Sequence, residues 1–170
     1  MQWDRSDNAG FTTADQPWLP VNTNYLEGVN VEDESRDEQS HLSVYQAVSG
    51  LRSSHMFSST ALWSTHHVFS FYRHSPDLDI IMVMNVLEMN VTITLETLLL
   101  EAGVSCDTGD VIISSSTAGH HLNTTVQLNE MSLLGYEALV LKLNDPVYSS
   151  SIYHSVSLSV VVCTLLSLIY

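Results

Sequence analysis

The chain opens with MQWDRSDNAGFTTADQPWLPVNTNYLEGVNV, residues 1–31, and the interpretation of everything after it depends on this stretch. The stretch shows neither the period of a helix nor the alternation of a strand. Glycine and proline interrupt it at Gly10, Pro17, Pro20 and Gly28. Its apolar side chains are nevertheless large: Trp3, Phe11, Trp18, Leu19 and Tyr25. An irregular segment with so many aromatic residues is typical of an ordered, functional loop packed on a larger body.

A helix is predicted after this loop. Ser35 and Glu38 have the spacing of a capping box, and acidic residues crowd this point as they do at the positive end of a helix. Apolar residues then recur on one face: Leu42, Tyr45, Val48 and Leu51. We therefore predict a helix over residues 37–53 with this face buried.

Beyond Ser54 the apolar residues alternate, as they do in half-buried strands. The predicted strands are 68–73, 79–85, 91–95, 104–105, 111–114, 126–128 and 136–143. Turn residues predict reversals at 75–77 and 107–110. Short strands separated by turns indicate an antiparallel sandwich.

The charge balance excludes one class of partner. Five Lys and Arg residues stand against nineteen Asp and Glu, so the formal net charge is −14. This excess of negative charge repels a phosphate backbone, and we predict no nucleic-acid partner. The carboxylates do not suggest a catalytic pair either. A retaining glycosidase needs two carboxyl groups about 5 Å apart, whereas Asp4 and Asp7 lie in the loop without an evident partner.

Two pairs of adjacent histidines could suggest a zinc-binding site: His66-His67 and His120-His121. Adjacent residues of a strand point to opposite faces, and no third residue has the spacing of a zinc ligand. We therefore predict no metal site and no cofactor.

The C-terminal end of the chain is uncharged and apolar, unlike the acidic sequence before it. Asp145 is the last charged residue, and residues 158–170 read LSVVVCTLLSLIY. This run is too short for a spanning helix, which needs about 20 apolar residues. It follows a polar spacer and the small triplet Ser149-Ser150-Ser151. The pattern predicts a glycosylphosphatidylinositol (GPI) signal over residues 146–170, with Ser149 as the attachment residue and the residues after it removed on maturation. The alternative is a buried final strand or helix.

Two patterns agree with passage through the secretory pathway. Asn90 and Asn123 each begin an N-glycosylation sequon. Residues 1–30 hold no signal peptide, so a GPI signal without one predicts that the chain is the C-terminal part of a longer protein. Cys163 would be removed with the C-terminal signal. Cys106 would then be free, or would form a disulfide with a cysteine in the N-terminal part of the longer protein.

Five short motifs of the opening stretch carry a resemblance: MQWD at 1–4, NAGF at 8–11, WLPVN at 18–22, NY at 24–25 and VNV at 29–31. Together they resemble the α-glucosidase (maltase) family of the α-amylase superfamily, glycoside hydrolase family 13, particularly the insect maltases. Some insect maltases also end in a GPI signal. The family's last barrel helix is similar at His41, Val44-Tyr45 and Leu51-Arg52, and strands of its C-terminal β-domain are similar at 68–73 and 136–141.

The resemblance implies an α+β fragment: the end of a (β/α)₈ barrel followed by an antiparallel β-sandwich domain. Residues 1–54 would be the loop after the eighth strand and the last barrel helix, 55–145 the β-domain, and 146–170 the GPI signal. The family's nucleophile Asp, acid/base Glu and third Asp lie upstream, so no catalytic residue is assigned here. Gln2 and Trp3 would either border the substrate pocket or brace the loop.

The implied function is that of a retaining α-glucosidase. The full-length parent would hydrolyse terminal α-1,4-linked glucose from maltose, sucrose or short maltodextrins in carbohydrate digestion. It would be anchored at the extracellular face of the plasma membrane, for instance the apical surface of the gut, and this chain alone would be inactive. The alternatives are the non-enzymatic heavy subunit of a heteromeric amino-acid transporter, whose amylase-like ectodomain carries a similar opening stretch, and a standalone β-sandwich binding module.

Overall fold

A computed structural model describes residues 1–57, 59–64, 67–115 and 119–149. Residues 1–36, called the N-terminal loop below, contain 3₁₀ helices at Asp7–Gly10 and Thr23–Glu27 and the short helix α1 at Val31–Glu34. A longer helix, α2, spans His41–Ser54. The side chain of Asn30 caps α1 by accepting the Asp33 N–H.

The predicted start of the long helix is wrong. Ser35 ends α1 instead of beginning α2, and α2 is capped by Ser40, whose hydroxyl accepts the Ser43 N–H at 3.0 Å. The acidic run thus forms its own short helix, because Asn30 supplies a cap ahead of it.

The predicted apolar face of α2 is also more open than expected. No residue of α2 is fully buried. Val44 and Leu51 pack on the sheet, whereas Tyr45 is 70% and Val48 44% exposed. Within the described part of the chain this helix contacts α1 at its N-terminal end and β6 of the sheet.

The described residues after α2 form ten strands, and all the pairings among them are antiparallel. The main sheet has six strands in the order β1-β2-β3-β9-β6-β7. Its strands are β1 Ser59–Ser64, β2 Val68–His74, β3 Asp79–Asn85, β6 Thr108–Ser114, β7 Thr125–Gln127 and β9 Ala138–Leu143. Two ribbons join β4 Val91–Ile93 to β8 Met131–Leu133, and β5 Val104–Ser105 to β10 Val147–Tyr148. A third helix, α3, spans Leu95–Glu101.

The main core lies on one face of the six-stranded sheet. Register pairs Ile81 with both Tyr72 and Leu141, and all three side chains are buried. Leu95 and Leu99 of α3 are fully buried in the same cluster. The opposite face carries a smaller cluster of Ile80, Ile113 and Val140, and this is where α2 packs.

The mixed helix-and-sheet architecture with antiparallel pairing is confirmed, with local differences. Residues 107–110 are not a turn, because β6 begins at Thr108 and pairs with β7. Gly109 fits there because an added Cβ would lie 3.1 Å from the Lys142 carbonyl oxygen. The predicted strand 91–95 ends at Ile93, and the strand predicted from Tyr136 begins at Ala138 because Tyr136 has a left-handed φ of 60°. The barrel, the sandwich and the division into three segments stay predictions.

Candidate functional site

The main chain at Gln2 and Trp3 is held between two later parts of the N-terminal loop. The Trp3 N–H donates to the Ala9 carbonyl at 2.8 Å. From the other side, Val31 and Glu32 donate their N–H groups to the carbonyls of Gln2 and Trp3 at 3.0 and 2.9 Å. These bonds tie the beginning of the chain to the first turn of α1.

The NAGF motif forms a tight turn built on left-handed backbone. Asn8, Ala9 and Gly10 have φ angles of 56°, 55° and 63°. The Asn8 amide donates to the Ala14 carbonyl at 2.9 Å, and Ala9 is fully buried. Glycine suits position 10 because φ is positive there and an added Cβ would lie 2.7 Å from a carboxylate oxygen of Asp4, which would have to move.

Two carboxylates of the loop have structural partners. Asp4 accepts the hydroxyl and N–H of Ser6, and these bonds lower the pKa of the Asp4 carboxyl. Arg5 Nε donates to Asp33 at 2.7 Å, and this bond, followed by one from Asn30, lowers the pKa of Asp33. Both groups are therefore carboxylates at neutral pH, the opposite of what a general acid needs.

An open cleft of 990 Å³ lies beside the NAGF turn. Its lining is mostly polar, with the carboxylates of Asp7 and Asp15 and the rings of Phe11 and Tyr25 among its members. Hydroxyl, amide and carboxylate groups beside aromatic rings suit a polar ligand with apolar faces.

The side chains of the two predicted rim residues have different environments. The Gln2 amide donates to the Asn22 carbonyl at 2.7 Å and to Asn24 Oδ1 at 2.8 Å, so it braces the segment around residue 23. The Trp3 side chain is 49% exposed. Neither residue lines the cleft beside the NAGF turn. Their role at a substrate rim stays a prediction.

The predicted modification residues lie at the surface of the β-region. Asn90 is exposed, and its Oδ1 accepts the Gly135 N–H at 3.2 Å. Asn123 is exposed in a left-handed conformation. Ser149 is exposed, and its N–H donates to the Gly103 carbonyl at 2.8 Å. The rest of the predicted GPI signal, residues 150–170 with Cys163, lies outside the described residues.

Sequence reasoning missed two buried carboxylates. Glu137 is fully buried and accepts the N–H groups of Gly119, His120 and Leu134 together with His120 Nδ1. It thereby joins two loops at one end of the sheet. An acidic residue directly before an apolar strand was the available signal, but sequence alone does not show which donors meet it.

Asp79 is the second buried carboxylate, at the start of β3. It accepts the Tyr72 hydroxyl at 3.0 Å and bonds to His74 Nδ1 at 2.7 Å. The Tyr148 hydroxyl also donates to it, so Asp79 fastens β10 to the main sheet. Burial, followed by the charge of Asp79, raises the pKa of Tyr72 far above its usual range.

The residues considered for metal binding or disulfide formation lie in different environments. His120 bonds to Glu137, and His66 lies outside the described residues. Cys106 is buried and free, its Sγ lies 3.1 Å from the carbonyl oxygens of Thr108 and Asn144, and burial raises its pKa. Across the described parts, no group of three or more His, Cys, Asp or Glu side chains has metal-binding geometry. No helix in those same ranges has the length and apolar character needed to cross a membrane.

Comparison with known proteins finds a family match in the N-terminal part of the chain. Residues 1–60 match the family model "Alpha amylase, catalytic domain". Maltase 1 of Drosophila virilis is 41% identical over 76 residues, which cover 43% of this chain. Oligo-1,6-glucosidase of Parageobacillus thermoglucosidasius is 29% identical over 154 residues, or 86% of this chain.

A non-glycosidase also matches most of the chain. The amino acid transporter heavy chain SLC3A1 of Mus musculus is 31% identical over 149 residues, which cover 84% of this chain. Among solved structures, the trehalulose synthase MutB of Pseudomonas mesoacidophila superposes with a TM-score of 0.62 at 26% identity over 84% of this chain.

The matched region is a small part of each of these proteins. The chain spans 12% of the Drosophila maltase, 25% of the oligo-1,6-glucosidase and 24% of the trehalulose synthase chain. Its homologues thus include maltases and other glycosidases of the alpha-amylase family.

Proposed function

We propose that this chain is the C-terminal part of a retaining α-glucosidase that releases terminal α-1,4-linked glucose from maltose, sucrose or short maltodextrins. Residues 1–54 contribute the last loop and helix of a catalytic barrel, and the sheet beyond them forms the C-terminal domain. One observation carries the proposal: the match to the alpha amylase catalytic domain falls on residues 1–60. Within the described residues 1–57, Ala9 is the one fully buried apolar residue, as expected for a segment that packs against a larger body.

The chain alone is proposed to be inactive. Asp4 and Asp33 are held as ionised turn and ion-pair partners, and the buried carboxylates Asp79 and Glu137 are saturated by donors within the sheet region. None of the four is placed as one of two facing carboxyl groups with a substrate between them. We therefore propose that catalysis uses carboxylates supplied by the rest of the enzyme.

An amino-acid transporter heavy subunit is the second candidate. The match to the mouse heavy chain covers 84% of this chain, nearly twice the coverage of the maltase match. The two candidates share the amylase-like frame and differ in chemistry. Only the enzyme needs a complete set of catalytic carboxylates, and only the transporter subunit needs a membrane-spanning partner.

The decisive experiment is to clone the complete transcript and express its product. The proposal expects upstream coding sequence for a (β/α) domain, and glucose release from maltose or a nitrophenyl α-glucoside by the extended polypeptide. Residues 1–149 alone should release no glucose above buffer. Turnover by residues 1–149, abolished by substituting one of their carboxylates, would contradict the fragment proposal. An extended polypeptide that is folded, inactive and copurifies with a membrane transporter would favour the second candidate.

The modifications belong to the same proposal. We place a GPI anchor at Ser149 and N-glycans at Asn90 and Asn123, with the enzyme at the extracellular face of the plasma membrane. Phosphatidylinositol-specific phospholipase C should release the mature protein from cells, and charged residues in place of Leu165 and Leu166 should prevent anchoring. Protein that stays in the membrane after the phospholipase and retains Tyr170 would contradict the anchor.

A further inference from the structure

One half of the six-stranded sheet presents an apolar surface. Leu62, Phe71 and Met82 are cross-strand partners on the face opposite the main core. The next row of the same half contains Phe69 and Met84. Leu62 is 61% exposed, and the others are only partly buried. We call Leu62, Phe69, Phe71 and Met84 the β1–β2 face.

α2 covers only the other half of this side of the sheet. Val44 and Leu51 pack against the cluster formed by Ile80, Ile113 and Val140. This side of the sheet therefore carries a helical layer over one half and none, among the described residues, over the β1–β2 face. A second helix beside α2 would complete that layer.

Arg73 stands at the border of the β1–β2 face. Its guanidinium carbon lies 5.3 Å from the centroid of the Phe71 ring and 5.9 Å from that of Phe57. Its Nε is buried without a hydrogen-bond partner, and no ion pair among the described residues includes Arg73. Native proteins rarely leave a buried donor of this kind unpaired. A carboxylate matches the charge and planar donors of a guanidinium best.

We propose that the β1–β2 face is the docking surface for a helix of the remaining catalytic domain, and that this helix brings an Asp or Glu carboxylate to Arg73. The inference rests on the proposed function, because the occupant is the part of the catalytic domain outside this chain. Residues 1–60 match that domain, while the superposed trehalulose synthase chain is about four times the matched length. The apolar residues supply buried area, and the Arg73 ion pair fixes the orientation of the helix.

Footprinting tests the surface. The 170-residue chain and the extended polypeptide encoded by the complete transcript are labelled with hydroxyl radicals and compared residue by residue. Leu62 and Phe71 should label several-fold more slowly in the extended polypeptide. Met89, which is 67% exposed in the loop after β3, should label equally in both. Equal labelling of Leu62 and Phe71 in the two proteins would overturn the docking surface.

Substitution of Arg73 tests the ion pair. Arg73→Gln should lower the melting temperature of the extended polypeptide by several degrees, and Arg73→Lys by less. In the 170-residue chain the substitutions remove only the contacts with the Phe71 and Phe57 rings, so each should lower its melting temperature by less than that of the extended polypeptide. Arg36→Gln is the matched control, because its partner Glu32 lies within this chain. Arg73→Gln without effect on the extended polypeptide would overturn the ion pair.

The outcomes separate the two proposals. Protection of Leu62 in an extended polypeptide that releases no glucose supports docking and contradicts the glycosidase. An active enzyme with Leu62 fully labelled contradicts docking alone. A complete transcript that begins at the codon for Met1 overturns both.

Discussion

Residues 1–57 and residues 67–149 are held together by different interactions. The first region contains one fully buried apolar residue, Ala9, while the other buried apolar residues of the described chain begin at Val68. Several of its large apolar side chains are exposed to solvent, with Trp18 93% and Met56 89% exposed. The second region buries leucine, isoleucine and valine on both faces of one sheet.

The difference shows how a segment is shaped when its core lies elsewhere. Hydrogen bonds and caps define the N-terminal loop, as at Trp3 with Ala9 and Asn30 with Asp33. Net hydrogen-bond energies are small, and apolar burial is the dominant favourable contribution to folding. The loop therefore has a specified conformation with little stability of its own, which a covering domain would supply.

The largest loss of stability is expected from a substitution in the main core of the sheet. Leu141 is fully buried in β9 and pairs with both Ile81 and Val111. Leu141→Ala should lower the free energy of unfolding by about 2–5 kcal/mol, because it removes apolar contacts and leaves a cavity. Urea unfolding followed by far-UV circular dichroism measures this. Trp18→Ala is the control for the first region and should change the free energy by no more than about 0.5 kcal/mol. If Trp18→Ala lowered the free energy of unfolding as much as Leu141→Ala, the two regions would not differ in how they are stabilised.

The next largest loss of stability is expected from a change to the buried carboxylate Glu137 in the second region. Glu137→Gln replaces one acceptor oxygen by an amide that faces backbone N–H donors of Gly119, His120 and Leu134. Buried donors without an acceptor are costly, so we expect a loss of about 2 kcal/mol. The same urea experiment measures it. Glu130→Gln, at an exposed position, is the control. A stability equal to that of the parent chain would mean that Glu137 does not hold these loops.

Sequence predicted the second region better than the first, for a physical reason. β2 and β3 alternate strongly because one side of each strand packs in the main core, and both were predicted to within a residue of their observed bounds. The helix Leu95–Glu101 was not predicted, and the strand predicted at 91–95 included its first residue, because a brief apolar run does not distinguish helix from strand. β1 and β8 have weak patterns and depend on pairing with distant residues.

The site was predictable only in outline. The opening stretch predicted an ordered loop. Whether Ser35 or Ser40 caps the long helix depends on where the chain turns after α1, which the sequence pattern does not show. The partners of Gln2 lie 20 and 22 residues away in sequence. The environments of Asp79 and Glu137 arise from strand order, which local sequence patterns do not encode.

A smaller loss of stability, confined to the N-terminal loop, is expected when the cap of α1 is removed. Asn30 caps α1 and also donates to the Tyr25 carbonyl at 2.8 Å. Asn30→Ala should cost about 1 kcal/mol locally, through loss of the cap. Faster hydrogen exchange of the Asp33 amide, which loses its acceptor, with unchanged exchange in β9, is the expected signature. Asn22→Ala, which removes the cap of the second 3₁₀ helix, is the comparison variant. Equal acceleration in β9 would show that the two regions unfold together.

The smallest effect is a pH dependence confined to the loop. Arg5 and Asn30 lower the pKa of Asp33 in the folded chain. A carboxyl whose folded pKa is depressed contributes stability above its ordinary pKa and loses it as pH falls through the folded value. The amide signals of residues 31–33 in two-dimensional NMR spectra should therefore move in a titration centred below about pH 4. Because Arg5 and Asp33 are solvent-accessible, high salt should weaken the effect. Arg5→Gln should raise the midpoint toward the ordinary value, whereas Arg36→Gln should move it less. A midpoint that is unchanged by Arg5→Gln would mean that the Arg5–Asp33 pair does not hold this part of the loop.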